Sequence, residues 1–155
     1  MNILFFLTPK HDVAYVNDTD TLRQALEKIE NHQFSAIPII REKTGEYAGT
    51  LTEGDLLRTI KDRFNLSLKE AEDIPLRAVR RRRDYLPVRI DADIEDLLHF
   101  AQSQNFVPVV DDSGAFIGIV TRKDVMQFLI HSLEKGSSDS WKLNANSPSN
   151  TCLTI

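Results

Sequence analysis

Two threonine–aspartate pairs carry the chemistry that this sequence offers. Thr52 and Asp55 stand in Gly49-Thr50-Leu51-Thr52-Glu53-Gly54-Asp55, and Thr121 and Asp124 in Gly118-Ile119-Val120-Thr121-Arg122-Lys123-Asp124. Both stretches obey Gly-x-x-Thr-x-x-Asp, follow a short β-prone run and open a helical pattern. Two roles fit this spacing. A Thr followed three residues later by an acid comes close to a capping box, which is a purely structural device at a helix N-terminus. The same geometry also suits a ligand. Free N–H groups and a hydroxyl at a helix N-terminus favour phosphate, and an Asp one turn in accepts charge-assisted hydrogen bonds from ribose hydroxyls.

The other charged feature is the run Arg80-Arg81-Arg82-Arg83. Adjacent arginines in an acidic chain form a solvated, self-repelling surface segment, or they hold phosphate through the bidentate guanidinium fork. Nucleic acid is the weakest reading, because the net charge is −4 and there is neither a long basic stripe nor interleaved aromatics. The histidines, His11, His32, His99 and His131, lack metal-ligand spacing, so no metal site is expected. No nucleophile–base pattern stands out and the single cysteine, Cys152, lies near the C-terminus, so no catalytic residue and no enzyme activity are expected.

The elements that must position these residues repeat. Ala36-Ile37-Pro38-Ile39-Ile40 corresponds to Phe106-Val107-Pro108-Val109-Val110. Leu22, Ala25, Leu26 and Ile29 correspond to Ile94, Leu97, Leu98 and Ala101. Such self-similarity marks a repeat architecture. Each copy reads as a short extended lead-in, a helix, a strand, a turn, a strand and an exit helix. Thr21 with Gln24, and Ser67 with Glu70, have the spacing of capping boxes, and Asp93 is the expected N-cap in the second copy. Pro38 cannot donate to a ladder, so it is expected at a strand start or an edge. The exit helices present Leu56, Leu57, Ile60 and Phe64 in one copy and Val125, Met126, Phe128, Leu129 and Leu133 in the other. The second is expected to end near Leu133.

These two ordered sets of motifs resemble a tandem pair of cystathionine β-synthase (CBS) domains, a Bateman module. The carrying residues are Thr21-Leu22 with Ala25-Leu26, Ser35 to Ile40, and Gly49-x-x-Thr52-x-x-Asp55, with their second copies. The resemblance implies a mixed α/β (α+β) fold of two β-α-β-β-α repeats packed by their sheets with pseudo-two-fold symmetry. The expected organisation is one repeat over 3–64, a connecting helical segment over 65–79, the second repeat over 80–133 and a flexible tail over 134–155. The resemblance also implies a cleft for an adenine nucleotide. Thr52, Asp55, Thr121 and Asp124 are then its ribose and phosphate groups. Backbone at Val13-Ala14, Ile37-Pro38, Tyr85-Leu86 and Val107-Pro108 frames adenine. Lys10, Arg80 and Arg82 lie in the extended lead-ins that line the cleft, with His11 as a marginal phosphate neighbour.

The expected function is that of a stand-alone regulatory module sensing AMP, ADP or ATP, with no cofactor besides the nucleotide. Cyclic di-AMP, S-adenosylmethionine or a dinucleotide are alternative ligands, and a structural or dimerisation module with a vestigial cleft is the alternative role. The wide apolar faces of the exit helices point to a homodimer, with Phe64, Met126 or Phe128 buried between chains. Ile3 to Leu7 is too short for a signal sequence or membrane span and one cysteine forms no internal disulfide, so a cytoplasmic protein without membrane contact is expected.

Overall fold

In the computed structural model of the chain, residues 2–63 and 67–144 are described. The expectations placed on Phe64, on Cys152 and on the tail beyond residue 144 lie outside them. The first copy comprises β1 (Thr8–Pro9), β2 (Val16–Asn17), α1 (Leu22–His32), β3 (Ala36–Ile40), β4 (Tyr47–Thr52) and α2 (Glu53–Asp62). After α3 (Leu68–Glu72), the second has β5 (Val88–Arg89), α4 (Ile94–Ala101), β6 (Phe106–Val110), β7 (Phe116–Thr121) and α5 (Arg122–Asn144). Single turns of 3₁₀-helix precede the two lead-ins, at Ile3–Phe6 and Leu76–Ala78.

Local chemistry sets the helix ends. Thr21 and Gln24 close the expected box on α1, the Gln24 side chain accepting from the Thr21 N–H at 2.8 Å. Ser67 and Glu70 do the same on α3. Asp93 is the N-cap of α4, although its side chain makes no capping bond. α1 buries Leu22, Ala25 and Ile29, one face of the 3.6-residue period. α5 does not stop near Leu133. It runs on to Asn144, through polar residues without apolar periodicity.

Two sheets result, β2-β3-β4 and β1-β7-β6-β5. β3 is therefore a central strand, and the expectation that Pro38 marks a start or an edge is corrected. The reason is local: β2 pairs with β3 only at Ile39 and Ile40, so on that side the ladder has not begun at Pro38. Matching residues of the two copies meet where the sheets pack. Asn105 Nδ2 donates to Ser35 Oγ at 2.9 Å. Glu46 bridges Ala115, and Ala36 clusters with Phe106. Such self-meeting equivalents define the pseudo-two-fold axis.

The segment ahead of each copy packs on the other copy. Ile3, fully buried, sits with Phe6 and Leu7 in the core of Leu97, Val107, Val109 and Val120. Reciprocally Ile74, Leu76 and Val79 fill the core of Leu22, Ile37 and Leu51. Burying such side chains contributes about 1.5–3 kcal/mol each. β1 joins the second sheet by lying antiparallel to β7, with Pro9 opposite Gly118. A Cβ at Gly118 would stand 2.2 Å from the Thr8 carbonyl oxygen. Gly118→Ala should therefore cost about 1–3 kcal/mol, the scale of overpacking; an unchanged denaturant midpoint would contradict this close approach.

Candidate functional site

One half-site is built at the start of α5. Thr121 ends β7 and Asp124 lies in the first turn of the helix. The Thr121 hydroxyl accepts from the Asp124 N–H at 3.1 Å and donates to Asp124 Oδ2 at 2.5 Å. Among the described residues nothing donates to Asp124 Oδ1, which leaves one carboxylate oxygen for a ligand hydroxyl. Thr121 faces a cleft of about 330 Å³ lined by Thr8, Asp12, Val13 and Ala14 from the first lead-in. Phe34, Ser35, Ala36 and Pro38 line it as well. A left-handed residue, Gln33 (φ 54°), ends α1 and hands the chain to Phe34. The Ala14 N–H and C=O have no partner among the described residues. Beyond Asp124 a pocket of about 510 Å³ continues between Phe6, Leu7, Phe128 and His131.

The matching half-site at the start of α2 opens on a pocket of about 450 Å³ lined by Thr52, Asp55, Arg58, Arg82, Arg83 and Tyr85, but its carboxylate is already engaged. Thr52 and Asp55 form a full capping box, and Asp55 Oδ2 accepts from the Thr52 N–H at 3.1 Å and hydroxyl at 2.9 Å. Its Oδ1 accepts from the Arg82 N–H at 3.1 Å and from the Arg58 guanidinium at 2.5 Å. Where the other half-site has Val13, this one has Tyr85, whose ring packs edge to face at 5.0 Å on Phe106, a residue that also lines the Thr121 cleft. The Leu86 N–H donates to Gln104 Oε1 at 2.7 Å, and Gln104 Nε2 donates to the Leu86 carbonyl at 3.1 Å. Tyr47 donates its hydroxyl to the Tyr85 carbonyl at 2.8 Å, fixing this lead-in further.

A sequence model of the CBS domain matches residues 6–62 and again residues 71–131. The chain belongs to the CBS domain family. Among curated relatives, an uncharacterized protein of Methanopyrus kandleri is 27% identical over 132 residues, covering 81% of this chain and 64% of that protein. Inosine-5′-monophosphate dehydrogenase of Methanocaldococcus jannaschii is 25% identical over 118 residues, 75% of this chain and 21% of the enzyme. The chain thus spans less than two thirds of these relatives. Among solved structures, CbpB in complex with c-di-AMP has a TM-score of 0.76 at 23% identity, covering 90% of this chain and 91% of that one. A CBS domain protein from Streptococcus pneumoniae TIGR4 has 0.75 at 26% identity, with coverage of 84% and 87%. CBSX2 in complex with AMP has 0.60 at 23%, with coverage of 84% and 96%.

In this CBS pair the residues singled out by sequence are placed unevenly. Thr121, Val13, Ala14 and Pro38 meet at the open cleft, and Asp124 stands beside it. Ile37 and Val107 are buried in the two cores. Pro108 is buried too and lines none of the pockets described here. Lys10 lies over the Tyr15 ring at 5.3 Å, and His11 is turned out to pair with Asp12. Arg80 and Arg82 line a pocket of about 270 Å³ with Arg58 and Asp62. Arg81 is structural, bonded to Asp84 across Gly49. Sequence reasoning missed Arg58 and Gln104. The Asp55-x-x-Arg58 spacing, one helical turn, was a signal for the first. The second shows only when Gln104 is aligned with Phe34.

The Asp55 carboxylate is held charged by its partners. Burial pushes the Asp55 carboxyl up, but bonds from the Arg82 amide, Thr52 and Arg58 outweigh it and hold it below the ordinary value. A lowered folded-state pKa stabilises the fold above the unfolded value of about 4, and this share is lost as pH falls through the folded value. Asp55→Asn should therefore flatten the acid limb of the stability–pH curve below about pH 4. Superimposable acid limbs in urea titrations of the two proteins would refute the assignment.

Proposed function

We propose that the chain is a regulatory CBS pair that senses an adenine nucleotide, AMP, ADP or ATP, in the cleft between its repeats, without catalysis of its own. The observation that carries this reading is the open cleft shared by Thr121 and the unpartnered peptide groups of Ala14, with the free oxygen of Asp124 beside it. A carboxylate at a helix start suits ribose hydroxyls, and backbone N–H and C=O in an apolar slot suit an adenine edge. The phosphates then run toward the lead-in at Thr8 and Lys10. CBSX2 with AMP supports the ligand class. A second reading, cyclic di-AMP, is favoured by the likeness to CbpB bound to that nucleotide. A thermal-shift panel tests both, because a ligand bound only by the folded state raises apparent stability. Asp124→Ala should weaken binding of the best ligand by about 1.5–3 kcal/mol, the scale of hydrogen bonds to a charged group. No stabilisation by any adenine compound would leave the structural role, with a vestigial cleft.

The reading includes a homodimer and a cytoplasmic location; among the described residues no helix is long and apolar enough to cross a membrane. Leu57, Met126, Ile130 and Leu133 are all at least half exposed on α2 and α5. A groove of about 870 Å³ runs between α1 and α2 beside Leu26, Leu57 and Ile60. Apolar patches of this kind mark interfaces, and closed two-fold pairs are the commonest oligomers. Phe128 instead packs within the chain, edge-on to Phe6 at 5.2 Å. Leu57→Glu combined with Met126→Glu should yield folded monomers by light scattering. A wild-type monomer at micromolar concentration would overturn the dimer.

A further inference from the structure

The two half-sites descend from one pattern and differ where a base would sit. Beside Asp55, Gln104 is 4% exposed and its carboxamide engages both peptide groups of Leu86. Gln104 Nε2 also donates to the Phe106 carbonyl at 3.3 Å, so the amide is fully satisfied where it stands. A carboxamide offers an acceptor and a donor side by side, as an adenine edge does. Tyr85 and Phe106, both nearly buried, pack edge to face on one another, and neither Gln104 nor Leu86 lines the pocket at Asp55. Asp55 accepts from within the chain on both oxygens. On the other side Phe34 takes the place of Gln104, and its ring stacks on His32 at 5.3 Å. Phe34 offers nothing to Ala14, whose N–H and C=O stay unpaired.

We propose that each chain binds one purine nucleoside moiety, in the half-site of Thr121 and Asp124 alone, and that the Gln104 carboxamide holds the place of the base in the other. This rests on the nucleotide-sensing reading and deepens it. A free adenine approaching Leu86 would have to displace an intramolecular group that already satisfies the same donor and acceptor, whereas at Ala14 it meets unpaired groups.

Calorimetric titration of the full chain with AMP is expected to give one site per chain. Two sites per chain would overturn this inference while leaving the sensing function standing, and absence of heat with AMP, ATP and cyclic di-AMP alike would overturn both. A transplant tests the cause. Phe34 is on the surface, so Phe34→Gln should fold, which circular dichroism checks, and its carboxamide should compete for Ala14. The variant is expected to lose at least about tenfold in AMP affinity, and Phe34→Leu clearly less. Equal losses in the two variants, or none in Phe34→Gln, would overturn the proposal.

Discussion

The structure depends on a close approach of backbone to backbone, Thr8 and Pro9 laid across Gly118. With no side chain at residue 118, the chain's first strand can complete the sheet of the second copy. That pairing carries Ile3 into the distant core and leads the chain past Thr121 to Val13 and Ala14. The cleft is consequently shared: its helix N-terminus comes from one repeat and its peptide edge from the other. The connector does the converse, with Leu22 donating to the Ile74 carbonyl and Leu76 to the Asp20 carbonyl, each at 2.9 Å. Neither lobe has a complete core without the other's lead-in.

Most of the fold was legible because it rests on local rules that repeat. The stripes of α1 and α4, the boxes at Thr21 and Ser67 and the apolar strands are each set by a few neighbouring residues. What escaped was relational. Nothing in Ile3 to Leu7 says which sheet receives it, since apolar side chains bury equally well in either core. The end of α5 escaped for another reason: the apolar stripe stops at Leu133 but the backbone needs no stripe to remain helical.

At the site, Thr52-Asp55 and Thr121-Asp124 look alike in sequence because a capping box and a sugar-binding pair require the same two side chains at the same spacing. Their difference lies in who else reaches the carboxylate. At Asp55 it is Arg58, one turn on, and the Arg82 amide; at Asp124 the corresponding helical position holds Gln127. A carboxylate has a limited number of lone-pair sites, so each donor from within the chain removes one from a ligand. The motif therefore marks a place in the fold, and its neighbours decide its use.

The unequal exit helices have a mechanical consequence. α2 has 10 residues and α5 has 23. At a rise of about 1.5 Å per residue, α5 is a rod of about 35 Å whose root is the turn that carries Asp124. A tilt of about 5° at that root sweeps the far end through about 3 Å, whereas α2 moves its end less than half as far. Angular changes too small to notice at the carboxylate are thus magnified at residue 144, on the repeat whose carboxylate still has an oxygen to offer.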